Sequence, residues 1–327
     1  MRRAQKQKVI LMAGNLIGCM CLKELNRIRR VEVVAVIGLY HDNGFVVNPR
    51  AWNASLLRVA LDKKMTFMQP QDLECVNFLD DLFEMDQPDY IIAAQYEHDL
   101  TPRLSSYPKK GCINLDFSLV PFNGNAHSAS GALIDNDRVG VRMHWLDKKH
   151  SENEEIASKK IDIGENDTAL SLYHRLTTAG FRLFKEQFAL ILQNKLEQNG
   201  SNGYDSLRNQ QNSKFNTRNI DWQWEASKID RMVRALTFPE SPSARTFYND
   251  LEIEILNPVE VIHQERNGHK PGQIVDISPN GLMVQTTTDC ILIPKIRLNQ
   301  SLVMNATKFC RYFNLSVGDI FQQNIST

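Results

Sequence analysis

The run "GCINLDFSLVP", Gly111 to Pro121, decides how this chain is read. Its first half is apolar enough for a buried strand. Its second half loosens into a loop closed by proline. In a wound α/β sheet, the edge where strands end is where ligands bind, so a chemical group is expected here. The only charged residue in the run is Asp116, and no histidine accompanies Asn114. Either the site works with altered chemistry or its chemistry has been lost.

The flanking sequence supplies the sheet. "KVILM" (Lys8–Met12) and "VEVVAVIG" (Val31–Gly38) are short continuous apolar runs, as in parallel strands buried on both faces. Between them, "NLIGCMCLKELNRI" places apolar residues at helical spacing, completing a β-α-β unit. A helix near Val76 to Met85, the strand "DYIIAAQ" after Pro88, and then the opening run continue the alternation. A wound α/β sheet is expected. From Val139, "VGVRMHWL" alternates like an antiparallel strand, and "KKIDI" reads as another. Asp167 to Leu192 reads as one long helix, capped by Asp167 or Thr168. Gly14 in "MAGNLIG" sits at a strand-to-helix turn, but the stretch is not G-x-G-x-x-G and implies no dinucleotide site.

Composition then shifts. Gln193 to Asn219 is rich in Asn, Gln, Ser and Gly and reads as a linker. After it comes "DWQWEASKIDRMVRALTF", an amphipathic helix stopped by Pro239. "LEIEIL", "GQIVDIS", "GLMVQTT" and "CILIPKIRL" follow as short strands between Gly, Pro and Asn turns, the pattern of a small closed or open β-barrel. The expected division is an α/β domain over 1–195, a linker over 196–219 and a barrel over 220–327. Trp222 and Trp224 are expected to anchor the barrel domain.

Bulk properties exclude several classes. A chain of 327 residues with 42% hydrophobic and 23% charged content is that of a soluble globular protein of two domains. Thirty-eight basic residues balance 38 acidic ones, giving no general attraction to nucleic acid or anionic membrane. No apolar run approaches the roughly 18 to 20 residues of a membrane span. The basic start "MRRAQKQKVILMAG" reads as a first buried strand, not a signal peptide, so a cytoplasmic location is expected. None of the six cysteines forms a CxxC pair. They read as small core residues, without a zinc site or disulfide framework.

The order and spacing of several segments resemble the formyltransferase family, of the methionyl-tRNA and sugar N-formyltransferase type. "N-L-D-F-S-L-V-P" (Asn114–Pro121) stands where the family has "N-I-H-P-S-L-L-P". "VGVRMHWLD" is similar to its "G-V-T-I-H-x-M-D", and "IDIGENDTALSLYHRL" to its "I-x-I-x-x-x-D-T-x-x-S-L-x-x-K-L". "IDWQWEASKIDRMVRALTFPESPSARTF" and "KPGQIVDISPNGLMVQTTTDCILI" resemble its C-terminal portion. The resemblance implies a Rossmann-like sheet domain with a small OB-like barrel. It also implies transfer of a formyl group from 10-formyltetrahydrofolate to a primary amine, without metal.

The family uses an asparagine, a histidine two residues on, and an aspartate in a "D-T-G" loop that orients the histidine. Here Asn114 matches the asparagine, Asp116 replaces the histidine and Ser151 replaces the aspartate. Glu152 and Asn153 replace the Thr-Gly, Gly124-Asn125 an Arg-Gly, and Gly131 a tryptophan. A carboxylate can accept the amine proton if burial raises its pKa, but while ionised it repels an oxyanion. His98, His150, Glu152 and above all His127, at a position lining the family's entrance, are possible replacements. His144 matches a strand histidine of the family and reads as structural. By resemblance, Tyr96, Glu97, His98 and Asp99 form the folate-side loop.

Two readings follow. One is a transferase with a diverged base, acting on a small acceptor such as a nucleotide-linked amino sugar or using a related one-carbon or acyl donor. The other is a catalytically silent homologue retained for binding or regulation. A homodimer is compatible with both. Initiator tRNA is disfavoured as acceptor, because from Asp205 onward thirteen basic residues meet thirteen acidic ones and phosphate contacts need net positive surface. A filter assay should therefore find no tight tRNA binding. Salt-sensitive submicromolar binding would contradict that charge argument.

Overall fold

A computed structural model of the chain describes residues 5–46, 48, 50–117, 128–136, 139–147, 154–196, 217–238, 242–264, 268–298 and 302–323. Two compact units emerge. One takes Met1–Ser128, Arg138–Asp162 and Tyr173–Asn212, and the other Ala129–Asp137, Ile163–Leu172 and Ser213–Thr327.

The first unit opens with β1 (Gln7–Ala13), α1 (Asn15–Leu25), β2 (Val31–Ile37), α2 (Leu56–Asp62) and β3 (Phe67–Met68). It continues through α3 (Val76–Glu84), β4 (Tyr90–Ala94), α4 (Pro102–Ser105) and β5 (Gly111–Asp116). After α5 (Ser128–Asp135), which belongs to the other unit, come β6 (Val139–Trp145), β7 (Glu155–Ile161) and α6 (Ala169–Leu192). The seven strands form one sheet in the order β3-β2-β1-β4-β5-β6-β7. Strands β1 to β5 pair in parallel, whereas β6 and β7 pair antiparallel. Every residue of β4 is buried, as its unbroken apolar run requires.

Ile10, Met12, Ala35, Ile37, Ile91 and Cys112 build the core on one face of the sheet. On the other, Gly180 of α6 lies against Phe117, Val141 and Leu115. Gly14 makes the turn from β1 into α1 at a point where a Cβ would lie 2.2 Å from Leu39 Cδ1, so a larger residue would have to displace the buried Leu39 side chain. Thr168 begins α6, its Oγ1 accepting from Ser171 N at 3.2 Å.

The antiparallel strand expected from "VGVRMHWL" is present as β6, with all seven of its residues buried. Some expectations change. β7 begins at Glu155, well before "KKIDI". The elements α2, β3 and α4 are additions to the sequence reading. Cys75 is exposed whereas the other five cysteines are buried, so only those five are core residues. Burial pushes the Cys19 thiol up to about 12, which keeps it protonated.

The second unit contains α7 (Ala226–Ala235), β8 (Ala244–Tyr248), β9 (Leu251–Ile255), β10 (Glu260–Ile262), β11 (Ile274–Ser278), β12 (Gly281–Gln285), β13 (Cys290–Ile293), β14 (Lys295–Leu298), β15 (Leu302–Asn305) and α8 (Ala306–Tyr312). Its strands make two four-stranded antiparallel sheets, β10-β13-β12-β11 and β15-β14-β9-β8. The chain steps from one sheet to the other across Pro294 alone. Ile253, Val284, Ile291, Ile296 and Phe309 are among the residues of one shared core. Trp222 anchors this core: its Nε1 donates to Thr246 Oγ1 at 2.9 Å and its ring stacks on Phe321. Trp224 is only partly buried and carries Lys228 Nζ 3.9 Å above its ring.

Glu254 of β9 is 1% exposed, yet charged partners surround it. Arg218 NH1 donates to its Oε1 at 3.1 Å and Arg297 Nε to its Oε2 at 2.6 Å. Removing one member of a buried network strands the charges that remain. Glu254→Ala is therefore expected to lower the unfolding free energy by about 3 kcal/mol in a urea titration of the full chain. A change within about 0.5 kcal/mol, the scale of an ordinary surface substitution, would contradict this.

Candidate functional site

The site is set by strand periodicity and register. Asn114 and Asp116 are two apart on β5 and so share a face. Antiparallel pairing places His144 opposite Asn114 and Arg142 opposite Asp116, which puts all four on the same face. An irregularity between Met143 and His144 brings Glu155 of β7 opposite His144.

Asn114 Nδ2 donates to Asp116 Oδ2 at 2.8 Å, and His144 Nδ1 lies 3.8 Å from the same oxygen. Behind them Arg142 Nε meets Glu155 Oε2 at 3.3 Å. About a third of the Asp116 side chain (34%) reaches solvent, so the carboxyl looks out of an otherwise dry face. Loss of water pushes its pKa up to about 6, against the Asn114 hydrogen bond and the Arg142 charge, while Asp99 adds to the rise. His144 is 4% exposed. Burial, helped by Arg142, drives its pKa down to about 3 and leaves a neutral imidazole.

The chain winds outward from β1 to β3 and then returns to the other side of β1 as β4, making a switch point between β1 and β4. Two left-handed residues that are not glycine lie just past these strands, Asn15 with φ 54° at the start of α1 and Gln95 with φ 48° directly after β4. Such conformations concentrate at functional sites. Beyond Gln95, Tyr96 packs against the core, and its buried hydroxyl has no hydrogen-bond partner. Glu97 Oε2 lies 3.8 Å from His41 Nδ1. His98 and Asp99 line a cleft of about 230 Å³ with Gln71, Asp72, Glu74 and Thr101.

The structure thus brings Asn114 and Asp116 into direct contact, with Asp99 near enough to act on Asp116. The positions of His127, His150, Ser151 and Glu152 lie outside the described residues. Arg142 is not among the residues the sequence singles out, and His144, expected to be structural, stands 3.8 Å from Asp116. A signal was available, since an arginine and a histidine two apart in a buried strand must point the same way. No group of His, Cys, Asp or Glu among the described residues is arranged to hold a metal ion, and no helix among them is long and apolar enough to cross a membrane.

Residues 15–187 match the family described as formyl transferase, and residues 212–314 its C-terminal domain. The chain belongs to the formyltransferase family. Among its relatives, methionyl-tRNA formyltransferase of Desulforamulus reducens is 26% identical over 267 residues, covering 80% of this chain and 81% of that protein. An N-formyltransferase from Helicobacter canadensis, solved with folinic acid and dTDP-3-aminofucose, has a similar fold: TM-score 0.65, 19% identity, covering 88% of this chain and 99% of that one. WlaRD, a sugar 3N-formyl transferase solved in the presence of dTDP and 5-N-formyl-THF, aligns with TM-score 0.62 and 16% identity over 92% of this chain and 100% of its own.

For a formyltransferase, this face offers a proton acceptor whose pKa lies near neutrality and an amide donor. An amide nitrogen carries two hydrogens, so Asn114 can hold Asp116 with one and offer the other to a carbonyl oxygen. The raised carboxyl also predicts a pH signature. Folding binds the Asp116 proton more tightly than the unfolded chain does, so its stabilising contribution is full below about pH 4 and is lost as pH rises through about 6. Melting temperatures of Asp116→Asn and the natural chain should therefore diverge in favour of the variant between pH 4 and 7, then run parallel. A gap independent of pH would contradict the shift.

Proposed function

We propose that this formyltransferase moves a formyl group from 10-formyltetrahydrofolate to the primary amine of a small acceptor such as a nucleotide-linked amino sugar, with Asp116 as a diverged base. The observation that carries this reading is the contact between Asn114 and Asp116 on the open edge of a formyltransferase sheet. Tyr96, Glu97, His98 and Asp99 are the residues that would hold the folate. The unpaired Tyr96 hydroxyl and the adjoining cleft suit a polar ring system. The bound donor supplies an electrophilic formyl carbon. Asn114 gives an N–H to the formyl oxygen as charge gathers there. Asp116 takes the proton that the amine sheds on attack and can return it to the departing nitrogen. His127 and Ser151, at the entrance and loop positions, stand next in line for roles in proton transfer. The balanced charge of the C-terminal half supports a small acceptor over tRNA. The two antiparallel sheets support an OB-like barrel for that half, and the polar stretch 196–219 supports a linker before it.

One observation favours a second reading. The Asp116 carboxylate held beside Asn114 would, while ionised, repel an oxyanion forming there, as in a silent homologue kept for binding or regulation. Turnover distinguishes the two. With formyltetrahydrofolate and a nucleotide-linked amino sugar, the rate is expected to fall roughly 100-fold or more below the ~1 per second of ordinary enzymes, the range one positioned acid–base group contributes. Asp116→Asn should abolish it with donor affinity nearly unchanged, and Asp116→His with Ser151→Asp should raise it. A natural rate of about 1 per second, or one indifferent to Asp116→Asn, would overturn the assignment.

A further inference from the structure

Behind Asp116 lies a polar atom that the mechanism above does not use. His144 is 4% exposed and its buried Nδ1 has no hydrogen-bond partner. Buried polar atoms are nearly always paired, and an exception requires an explanation. The nitrogen lies 3.8 Å from Asp116 Oδ2, beyond hydrogen-bond range, while that oxygen accepts from Asn114. The register fixes the juxtaposition, because His144 stands opposite Asn114 on the neighbouring strand.

The charges facing the pair limit what the imidazole can do. Arg142 on β6 disfavours a second proton on His144. Glu155 on β7 is engaged with Arg142, Asn114 on β5 supplies only a neutral amide, and Asp99 beyond β4 acts on Asp116. A neutral imidazole beside a carboxyl has one vacant acceptor when Nε2 carries its hydrogen. We propose that His144 is a positioning residue for Asp116, its Nδ1 accepting a hydrogen bond from Oδ2–H when the carboxyl holds a proton. A small turn of the carboxyl closes the gap as Asn114 Nδ2 releases Oδ2.

The inference rests on the reading that Asp116 moves a proton. The amine N–H breaks and leaves its electron pair on nitrogen, and a carboxylate lone pair forms the O–H. That hydrogen then rests against Nδ1 until the O–H breaks again toward the departing nitrogen. No electrons are exchanged, and His144 stays neutral throughout. A carboxyl on β5 is thus backed by an imidazole from β6.

The test reads protons, not turnover, so it stands apart from whether the chain formylates anything. Carbon-13 NMR of aspartate-labelled full-length protein, with Asp116 assigned through Asp116→Asn, gives the carboxyl titration. His144→Phe keeps the ring but removes the acceptor, and should lower the Asp116 pKa by about one unit. His144→Asn offers an amide oxygen close to the Nδ1 position and should restore most of the shift. Nitrogen-15 NMR of the natural chain at pH 5 should show His144 neutral, with Nδ1 unprotonated and hydrogen-bonded. An imidazolium at that pH, a protonated Nδ1, or an Asp116 titration unmoved in both variants would overturn the proposal. The nitrogen measurement decides the matter even if a variant fails to fold.

Discussion

The antiparallel register of β5 on β6 is the constraint on which the site depends. It sets Asn114 against His144 and Asp116 against Arg142, so four polar side chains converge on one face of an otherwise apolar sheet. Burying such groups is costly unless each is answered by another. Asn114 answers Asp116, Glu155 answers Arg142, and His144 stays tolerable by remaining neutral. The same dry surroundings that make the cluster costly bring the Asp116 carboxyl towards neutrality, where it is useful for proton transfer.

The scaffold around this face is rigid where chemistry needs it. β4 and β5 are central strands packed on both sides, so Asn114 is held by backbone pairing and not by a loop. The left-handed residues Asn15 and Gln95 redirect the chain just past β1 and β4. In the second unit the charged ladder around Glu254 sits across β8, β9 and β14 and ties Arg218, at the start of that unit, to the sheet. Its guanidinium groups are already paired with carboxylates.

Much of the sheet was legible because strands buried on both faces must be written as unbroken apolar runs, and "KVILM", "VEVVAVIG" and "DYIIAAQ" are such runs. β3 was not, since two residues carry no period. α2 was marked only by Ser55, which caps it by accepting from Arg58 N. At the site, Asn114 and Asp116 could be read directly, being two apart in one strand. His144 and Arg142 were legible only as sharing a face of their strand, because pairing between β5 and β6 joins residues nearly thirty positions apart, and register is fixed by tertiary packing.

The proposed reaction requires that the edge carrying Asn114 and Asp116 receive a formylated folate. Isothermal titration of the natural chain with folinic acid, a non-transferring analogue of the donor, tests it most directly. Saturable one-to-one binding is expected, with Kd in the micromolar range, about −6 to −8 kcal/mol. An absence of heat up to millimolar ligand would contradict it and leave the fold without its donor.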